Sequence, residues 1–550
     1  MSTDNLPQSR RAYILIVALI VCVYAPSVLY EFVEFDDVSL VRHQLPFLTN
    51  LANIPNAFIE DVFRSSSDSY YRPMLTLSLM ADAQIAGPRP AWYHLSNVVL
   101  HAGAACLVLL LLVRLEVPRS AAVVGTAFFA VHPVLTMAVA WIPGRNDSLL
   151  TIFIVASILF LIRYIRGGTR TDLILHGVFW TGALLTKEVA VAALAIYTLL
   201  AWPHRKRCWP LAGTWAIGAT LWLTLRAIAF KNPITLTAAE FGADARMAMA
   251  SALQLMGKSL VPLRLSVLPD PRDAAWVPAL LTIAIVTVLL ISARRPNWSR
   301  IRLGLIWYVA FLVPSFLSLL IRTRENVPFV LEHRLYLPLV GLVLVLAETP
   351  LFNRERRSTE TSRLLNATPW VLIGLLAVQT FCYARTFRDA DRFWESAMRS
   401  SPRHPLAHLN TGYLHFEAGR TAAAERSYRT ALALNPEQLL VNNNLGVLYL
   451  RDESFVPAAE HFLREIELNP TFPEPYFSLG NINYRAGNEA EAIRLWERTL
   501  TLQDRHRGAL HNLAQVYHRR GTQARQKQYV DRMRKHGYRI PENLKRSNRR

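Results

Sequence analysis

Long apolar runs fill the first ~390 residues of the chain and constrain its fold more than any other feature. About eleven runs, several of them short, approach the roughly 20 residues that an α-helix needs to cross a bilayer. Only 18% of the 550 residues are charged and 52% are apolar, too little polar surface for a soluble protein of this length. We therefore predict an all-α, polytopic membrane bundle over residues 1–390. The runs lie at 12–29, 98–113, 121–140, 149–165, 173–185, 189–202, 211–230, 276–291, 303–320, 335–346 and 370–384.

The formal net charge of +20 is arranged as in a membrane protein, which argues against a nucleic-acid partner. Five short basic loops separate apolar runs, and such loops stay in the cytoplasm. All five share one side only if the apolar stretch 247–268 does not cross and is instead re-entrant or interfacial. The N-terminus is then cytoplasmic. The loops contain Arg114 and Arg119; Arg163, Arg166 and Arg170; Arg205, Lys206 and Arg207; Arg294, Arg295, Arg300 and Arg302; and Arg354, Arg356 and Arg357.

The remaining connections are external in this topology, and nearly every unusual polar motif lies on them. They are residues 30–97, 141–148, 187–188, 231–275 and 321–334. This convergence predicts an active site at the external end of the bundle.

A period of 34 residues begins near residue 402 and predicts a second domain over 391–550. Small residues where paired helices touch, with a proline after each pair, are typical of tetratricopeptide repeats. We predict that Asn410, Asn444 and Asn512, at one helical position, bind the backbone of a protein acceptor. They could equally cap neighbouring turns, and the domain could be a spacer or dimer contact. The periodic residues are Gly412, Gly446 and Gly480; Ala424, Ala458 and Ala492; and Pro402, Pro436 and Pro470.

Two adjacent carboxylates, Asp36 and Asp37, follow the first apolar run. Close to a membrane such a pair suffers desolvation and mutual repulsion. The pair suits a general base that takes a proton from an acceptor hydroxyl, or a metal ligand.

Further polar residues line the same side. His94, Asn97 and His101 have helical spacing and share one face, unless they only hydrogen-bond within the bundle. Arg145 and Asp147 follow His132 at helix ends and could also pair with each other.

Ionisable residues at membrane depth indicate function by default, which singles out Lys187 and Glu188 between two short apolar runs. A last cluster puts cations where a lipid phosphate would lie, although arginines also reach to the interface for purely structural reasons. It comprises Glu332, His333, Arg334 and Tyr336, together with Arg322 and Arg324.

Several functions are excluded by missing patterns. The sequence has no Walker loop, dinucleotide-binding glycine pattern or H-E-x-x-H motif. None of its four cysteines forms a C-x-x-C pair, so neither a disulfide framework nor a zinc site is indicated.

Six motifs in order, followed by the repeats, resemble the transmembrane and tetratricopeptide-repeat O-mannosyltransferases and their bacterial relatives over almost the whole chain. They are Phe35-Asp36-Asp37, Tyr71-Arg72-Pro73, Tyr93 to Asn97 with His101, His132-Pro133 through Gly144 to Asp147, Lys187-Glu188, and His333 to Pro338.

The resemblance implies a GT-C fold and a polyprenyl-phosphate sugar donor. It implies that Asp36 is aimed at the acceptor hydroxyl with Asp37 in support. It further implies that Arg72, Lys187, His333 and Arg334 hold donor phosphate or sugar, and that the repeats present an exported protein. The chain departs from its relatives at Met137, where they often carry glutamate. A different sugar and an altered catalytic complement are both consistent with that change.

The resulting expectation is an inverting transfer of mannose or another hexose to Ser or Thr of an exported protein, with the repeats external. The compact loops favour a bacterial inner membrane. A need for a divalent cation stays open. The alternatives are transfer to a lipid or glycan, and a non-catalytic scaffold in which the bundle anchors the repeats.

Overall fold

A computed structural model of the chain describes residues 6–33, 35–64, 70–230, 245–273, 276–317, 331–356 and 364–545. Secondary structure over these ranges is helical, without a strand, which confirms the predicted all-α class. The chain divides after Pro402 into two compact units, one dominated by apolar helices and one by repeats.

The first unit is built from apolar helices of very different lengths. They are α1 (Leu6–Tyr24), α2 (Leu45–Leu48), α3 (Pro73–Ala86), α4 (Pro90–Arg114), α5 (Arg119–Ala130), α6 (Thr136–Ala140), α7 (Arg145–Ile165), α8 (Arg170–Leu184), α9 (Ala193–Ala201), α10 (Cys208–Ala229), α11 (Ala245–Lys258), α12 (Val277–Ile291), α13 (Trp298–Leu312), α14 (Pro314–Leu317), α15 (Tyr336–Leu346), α16 (Leu364–Ala384) and α17 (Ala390–Ser400).

Five helices of the described chain are long and apolar enough to cross a membrane. They are Arg10–Leu29, Pro90–Arg114, Ile142–Ile165, Cys208–Ala229 and Asn366–Phe387. Helices α5 and α6 make a sixth if counted together, although they meet at a 50° bend. Other predicted runs form shorter helices, such as α8, α9, α12, α13 and α15. Helix α8 ends just before Lys187 and α15 begins just after Arg334, because charged residues interrupt the apolar sequence there.

The stretch 247–268, predicted not to cross, contains α11 and the chain that follows it. Helix α11 has 14 residues and ends at Lys258, after which the backbone is irregular. At 1.5 Å per residue this helix is shorter than the roughly 30 Å hydrocarbon core. The predicted external loops 30–97, 231–275 and 321–334 each contain residues outside the described ranges. Arg357 of a predicted basic loop, and Arg322 and Arg324 of the last predicted cluster, also lie outside them.

Basic loops from distant parts of the chain meet at one end of the bundle. Arg166 donates to the Arg114 carbonyl (3.4 Å) and Arg300 to the Glu116 carbonyl (2.8 Å). Arg300 also forms an ion pair with Glu348 at 3.2 Å. We call this the basic end, defined by the connections 114–119, 163–170, 294–302 and 348–356. The opposite end, where α7 begins, is called the motif end.

Two glycines let α13 and α15 pack with their backbones in contact. A Cβ added at Gly341 would lie 2.5 Å from the Gly304 carbonyl oxygen, and one at Gly304 would lie 2.6 Å from the Gly341 oxygen. In a membrane no hydrophobic driving force holds helices together, because the lipid is as apolar as they are. Small residues at a crossing let the helices approach closely and gain van der Waals contact instead. The crossing fixes α15, whose first turn carries Tyr336.

Gly341→Val should separate these helices and destabilise the bundle by about 1–3 kcal/mol, the usual penalty of overpacking. The matched control is Gly374→Val on α16, where an added Cβ meets no atom within 4 Å. Thermal unfolding of both variants in detergent measures the difference. Equal melting temperatures would show that the close crossing does not contribute to stability.

The second unit is a solenoid of helix pairs. Its helices are α18 (Pro405–Glu417), α19 (Thr421–Leu434), α20 (Val441–Arg451), α21 (Phe455–Leu468), α22 (Pro473–Arg485), α23 (Glu489–Leu502), α24 (Arg507–Arg519), α25 (Gln523–Lys535) and α26 (Glu542–Lys545).

An aromatic ring on the second helix of a pair covers the periodic glycine of the first. A Cβ at Gly412 would lie 2.6 Å from Tyr428, and the same contact recurs between Gly446 and Phe462 (2.7 Å) and between Gly480 and Trp496 (2.5 Å). The periodic alanines Ala424, Ala458 and Ala492 are fully buried. The repeat prediction is confirmed, since each small residue lies where two helices touch.

Helix α17 belongs to the first unit although the sequence suggested a boundary at 390. Phe393 and Trp394 place their rings 5.8 and 5.7 Å from the ring of Phe35. The compact units consequently divide at Pro402 rather than where the apolar sequence ends.

Candidate functional site

Three residues predicted from separate motifs meet at the motif end. Lys187 donates from Nζ to Asp147 Oδ1 at 2.7 Å, and His333 Nε2 lies 3.6 Å from Asp147 Oδ2. Their exposed fractions are only 6–7%. Asp147 lies in the first turn of α7, where the helix dipole favours a carboxylate. The break before α9 and the turn before α15 supply the other two side chains.

Arg72 connects this ion pair to the loop after the first helix. Its guanidinium lies 4.0 Å from Glu188 and 4.4 Å from the centre of the Tyr70 ring. The amide of Met74 donates to the Leu185 carbonyl at 3.1 Å, which attaches the start of α3 to the chain just before Lys187. Arg72 is therefore held beside the break between α8 and α9.

The charge of Arg72 also reaches the other predicted cations. Lys187, His333 and Arg334 all lie within electrostatic range of it. Arg334 is partly exposed. Several cations from three segments thus surround two carboxylates, Asp147 and Glu188, and the cluster is suited to a polyanionic ligand.

The two adjacent aspartates have different environments. Asp37 is 1% exposed and accepts a hydrogen bond from the Val33 amide at 3.0 Å, which fixes the turn after α1. Asp36 is partly exposed, and within the described ranges no hydrogen bond or ion pair engages its carboxylate. Burial raises the pKa of Asp36 to about 6, and the nearby Arg72 guanidinium opposes that rise. The Asp36 carboxylate is therefore unengaged within the described residues, whereas Asp37 holds the loop.

Aromatic contacts join the aspartate turn to the cationic cluster. The ring of Phe35 stacks on Trp141 with centroids 5.5 Å apart, and Trp141 lies 6.0 Å from the His333 ring. Asp36 and His333 therefore border one region of the fold.

Other predicted site residues hold the frame of this region. Asn97 donates to the carbonyls of Val139 and Trp141 at 3.0 and 2.9 Å. His101 Nδ1 lies 2.6 Å from the Tyr336 hydroxyl, which also accepts from Ser148 at 3.1 Å.

The two remaining histidines contact the backbone. His94 Nε2 lies 3.4 Å from the Glu31 carbonyl, and His132 Nδ1 accepts from the Val134 amide at 3.4 Å. One ring nitrogen of each histidine is thus engaged inside the unit. Both rings are buried, with exposed fractions of 1% or less.

Arg145 is fully buried and pairs with Asp82, an aspartate that the sequence reading passed over. It also donates to the Tyr93 carbonyl at 2.7 Å, while Ser96 donates to Asp82 at 2.6 Å. The predicted alternative, in which Arg145 pairs with Asp147, is not what the structure has. The sequence did offer a signal for Asp82, since a lone carboxylate in the apolar sequence of α3 indicates a functional or paired residue.

Glu332 is also fully buried. It accepts from Lys258 Nζ at 2.5 Å and from the Ser266 amide at 2.9 Å. These bonds tie the end of α11 and the chain after it to the turn that carries His333. Lys258 was not among the predicted residues, although it is the one lysine in the apolar stretch 247–268.

Met137, the departure from the resembled pattern, touches the site directly. Its Sδ atom lies 3.3 Å from His333 Nδ1, and it is 1% exposed. A thioether is a weak acceptor and carries no charge, so it leaves His333 without a second carboxylate beside Asp147. No group of three or more His, Cys, Asp or Glu in the described chain could hold a metal ion.

In the second unit the three predicted asparagines are partly exposed. Asn410 donates to the Leu406 carbonyl at 2.9 Å, and Asn512 donates to Asn481 at 2.8 Å. Asn444 accepts from Asn443 at 3.3 Å. Each thus has a partner within its unit and keeps part of its amide at the surface.

Spanning apolar helices and a C-terminal repeat unit define a multi-pass membrane protein with tetratricopeptide repeats. Residues 73–230 match the family model of the dolichyl-phosphate-mannose-protein mannosyltransferases, a segment that includes Asn97, Asp147 and Lys187. Residues 375–429 and 412–471 match the tetratricopeptide-repeat model.

The chain is also similar to individual O-mannosyltransferases. Protein O-mannosyl-transferase Tmtc1 of Drosophila melanogaster is 36% identical over 132 residues, 24% of this chain and 15% of that protein. Protein O-mannosyl-transferase TMTC3 of Homo sapiens is 30% identical over 191 residues, 33% of this chain and 19% of that protein. The match thus spans less than a fifth of the length of either relative. The predicted resemblance to the transmembrane and tetratricopeptide-repeat O-mannosyltransferases is confirmed.

Among solved structures, the crystal structure of MamA is 20% identical and covers 26% of this chain and 84% of its own, with a TM-score of 0.24.

Removing one member of the Lys187–Asp147 pair should destabilise the protein by about 3–5 kcal/mol, because the other charge stays buried without compensation. Lys187→Met and Asp147→Asn should each lower the unfolding temperature, and the double variant should recover much of the loss. The measurement is a double-mutant cycle of unfolding in detergent.

The matched control is the exposed pair Arg166 and Glu116, 3.3 Å apart, for which Arg166→Met and Glu116→Gln should couple by less than about 1 kcal/mol. Additive effects at Lys187 and Asp147 would show that the two charges do not depend on each other.

Proposed function

We propose that this chain is a membrane glycosyltransferase that moves a hexose, mannose in the first instance, from a polyprenyl-phosphate donor to a Ser or Thr hydroxyl of an exported protein. One observation carries the proposal. A carboxylate without a partner in the described chain, Asp36, borders a cationic cluster whose Lys187 lies in the segment 73–230 that resembles mannosyltransferases.

In this reaction Asp36, Arg72 and Arg334 have separate roles. The Asp36 carboxylate takes the proton of the acceptor hydroxyl while that oxygen forms a bond to the anomeric carbon. The bond between the anomeric carbon and the phosphate oxygen breaks with its electron pair going to the phosphate, so the transfer inverts the configuration. Arg72 and Arg334 stabilise the negative charge of the departing lipid phosphate.

Lys187, Asp147 and His333 are assigned to the sugar end of the donor. A buried lysine and carboxylate offer donor and acceptor groups that suit sugar hydroxyls. Met137 next to His333 makes this part of the cluster less acidic than a carboxylate there would. The partly exposed asparagines of the repeats, Asn410, Asn444 and Asn512, support presentation of an extended protein segment.

The proposal also assigns an orientation: a cytoplasmic N-terminus, with the motif end and the repeats outside, in a bacterial inner membrane. What supports it is the separation of charges, since basic loops meet at the end away from Asp36. The scaffold alternative predicts that Asp36, Arg72 and Lys187 are all dispensable while the repeat surface is essential.

Asp36→Asn should lower transfer from polyprenyl-phosphate mannose to an exported protein by about 10²–10⁴-fold, the usual contribution of a general base. Membrane insertion and repeat folding should be unchanged. Glu60→Gln is the matched control, because Glu60 is a carboxylate of the same loop that pairs with Arg64 at 2.9 Å.

Radiolabelled transfer measures the effect, and mass spectrometry of exported proteins for a lost hexose checks it in cells. Full activity of Asp36→Asn would reject the catalytic role and favour the scaffold. Loss of label from lipid or glycan instead of protein would favour the second enzymatic alternative.

The rate should rise with pH through about 6, because the base acts only after Asp36 has lost its proton. Arg72→Gln removes the charge that opposes the effect of burial, so the midpoint of the kcat/KM profile should move to higher pH. The readout is the midpoint between pH 5 and 8, which separates this effect from weaker donor binding. A midpoint that stays in place or falls would contradict the assignment of Asp36.

A further inference from the structure

A cavity of about 370 Å³ opens between helices at the basic end, far from the aspartate turn. Its polar side is formed by Arg119, Ser120 and Arg354, and its apolar side by Val123, Phe352 and Trp370. Helix α7, which starts at the motif end, has 21 residues and a length of roughly 31 Å. A donor phosphate bound at the motif end therefore cannot also contact the arginines of this cavity.

The two arginines of the cavity differ from their neighbours at this end. Arg300 and Arg356 both pair with Glu348, at 3.2 and 2.8 Å. In the part of the chain that the structure covers, no carboxylate pairs with Arg119 or Arg354. Both line one opening between helices and have no carboxylate counter-ion among the described residues, and an anion from outside would supply one.

Backbone geometry adds to this positive field. Arg119 is the first residue of α5, a helix of 12 residues, and no side chain caps its N-terminus. The first amides of a helix need acceptors and carry the positive end of the helix dipole. With two guanidinium groups beside them, they suit the oxygens of a phosphate group.

Exposed tryptophans indicate where the cavity lies relative to the bilayer. Trp202, Trp209 and Trp298 lie at helix ends on this side and are 60–85% exposed, and Trp370 of the cavity is 37% exposed. Tryptophan concentrates at the level of lipid headgroups. The tryptophans therefore indicate that the cavity lies near the level of the lipid headgroups.

From these observations we propose that the cavity binds an anionic glycerophospholipid, with the phosphate on Arg119, Arg354 and the start of α5 and an acyl chain along Val123 and Trp370. Basic pockets between membrane helices take such headgroups, and the surrounding leaflet supplies them at high concentration. This site is independent of the sugar transfer proposed at the motif end.

The test is native mass spectrometry of the full-length protein in detergent, with phosphatidylglycerol as the probe and phosphatidylethanolamine and undecaprenyl phosphate as competitors. Arg119→Ala/Arg354→Ala should weaken phosphatidylglycerol retention by about tenfold, since two charge-assisted contacts are lost. The matched control is Arg170→Ala/Arg302→Ala, because both residues are exposed arginines of the same end outside the cavity.

A second variant, Val123→Trp, fills the apolar side without changing charge and should also reduce retention. It keeps the test decisive if the double arginine variant does not fold. Equal retention by the double variant and its control, retention by Val123→Trp, or displacement of phosphatidylglycerol by an equal amount of either competitor would each overturn the proposal.

Discussion

Ionisable side chains inside this bundle have to be paired, because an isolated charge in a low-dielectric interior is strongly unfavourable. Lys187 therefore meets Asp147, and Arg145 meets Asp82, across long stretches of sequence. Lys258 and Glu332 form a third such pair. The Lys187–Asp147 and Lys258–Glu332 pairs each connect a helix end to a break between apolar runs, whereas Arg145, at the start of α7, pairs with Asp82 inside α3. The pairs thereby fix where these segments of the chain lie. The proposed site depends on this pairing.

The same pairing separates residues with buried internal partners from residues that keep part of their surface accessible. Asn97, Arg145 and Glu332 all have internal partners and little or no exposure, which suits a frame. Asp36 and Arg334 keep part of their surface accessible. A substrate can therefore reach the accessible residues without breaking the bonds that position them. Adjacent aspartates in one turn illustrate the division, since Asp37 anchors the backbone and Asp36 does not.

Met137 shows how a single position changes such a site without changing its frame. Its thioether fills the space beside His333 and leaves Asp147 as the carboxylate next to that ring. A different constraint acts in the repeats. An aromatic ring covers each periodic glycine so closely that a larger side chain would not fit there. Packing is the constraint in the repeat unit, whereas pairing of charge is the constraint at the motif end.

The sequence by itself determined the class of fold, the repeat period and the motifs that would converge. Apolar length and a spacing of 34 residues are local properties, and they follow directly from what a bilayer and a stacked helix pair require. The sequence also indicated Lys187 and Asp36, since charged residues next to apolar runs are rare without a reason.

Only the tertiary structure decided which charges pair. Asp82 and Lys258 lie in apolar stretches with no motif around them, and their partners Arg145 and Glu332 are far away in the chain. The pairing of Arg145 with Asp82 rather than Asp147, and the contrast between Asp36 and Asp37, depend on how helices cross. Sequence spacing carries no information about such contacts, because burial and distance arise only when the bundle is assembled.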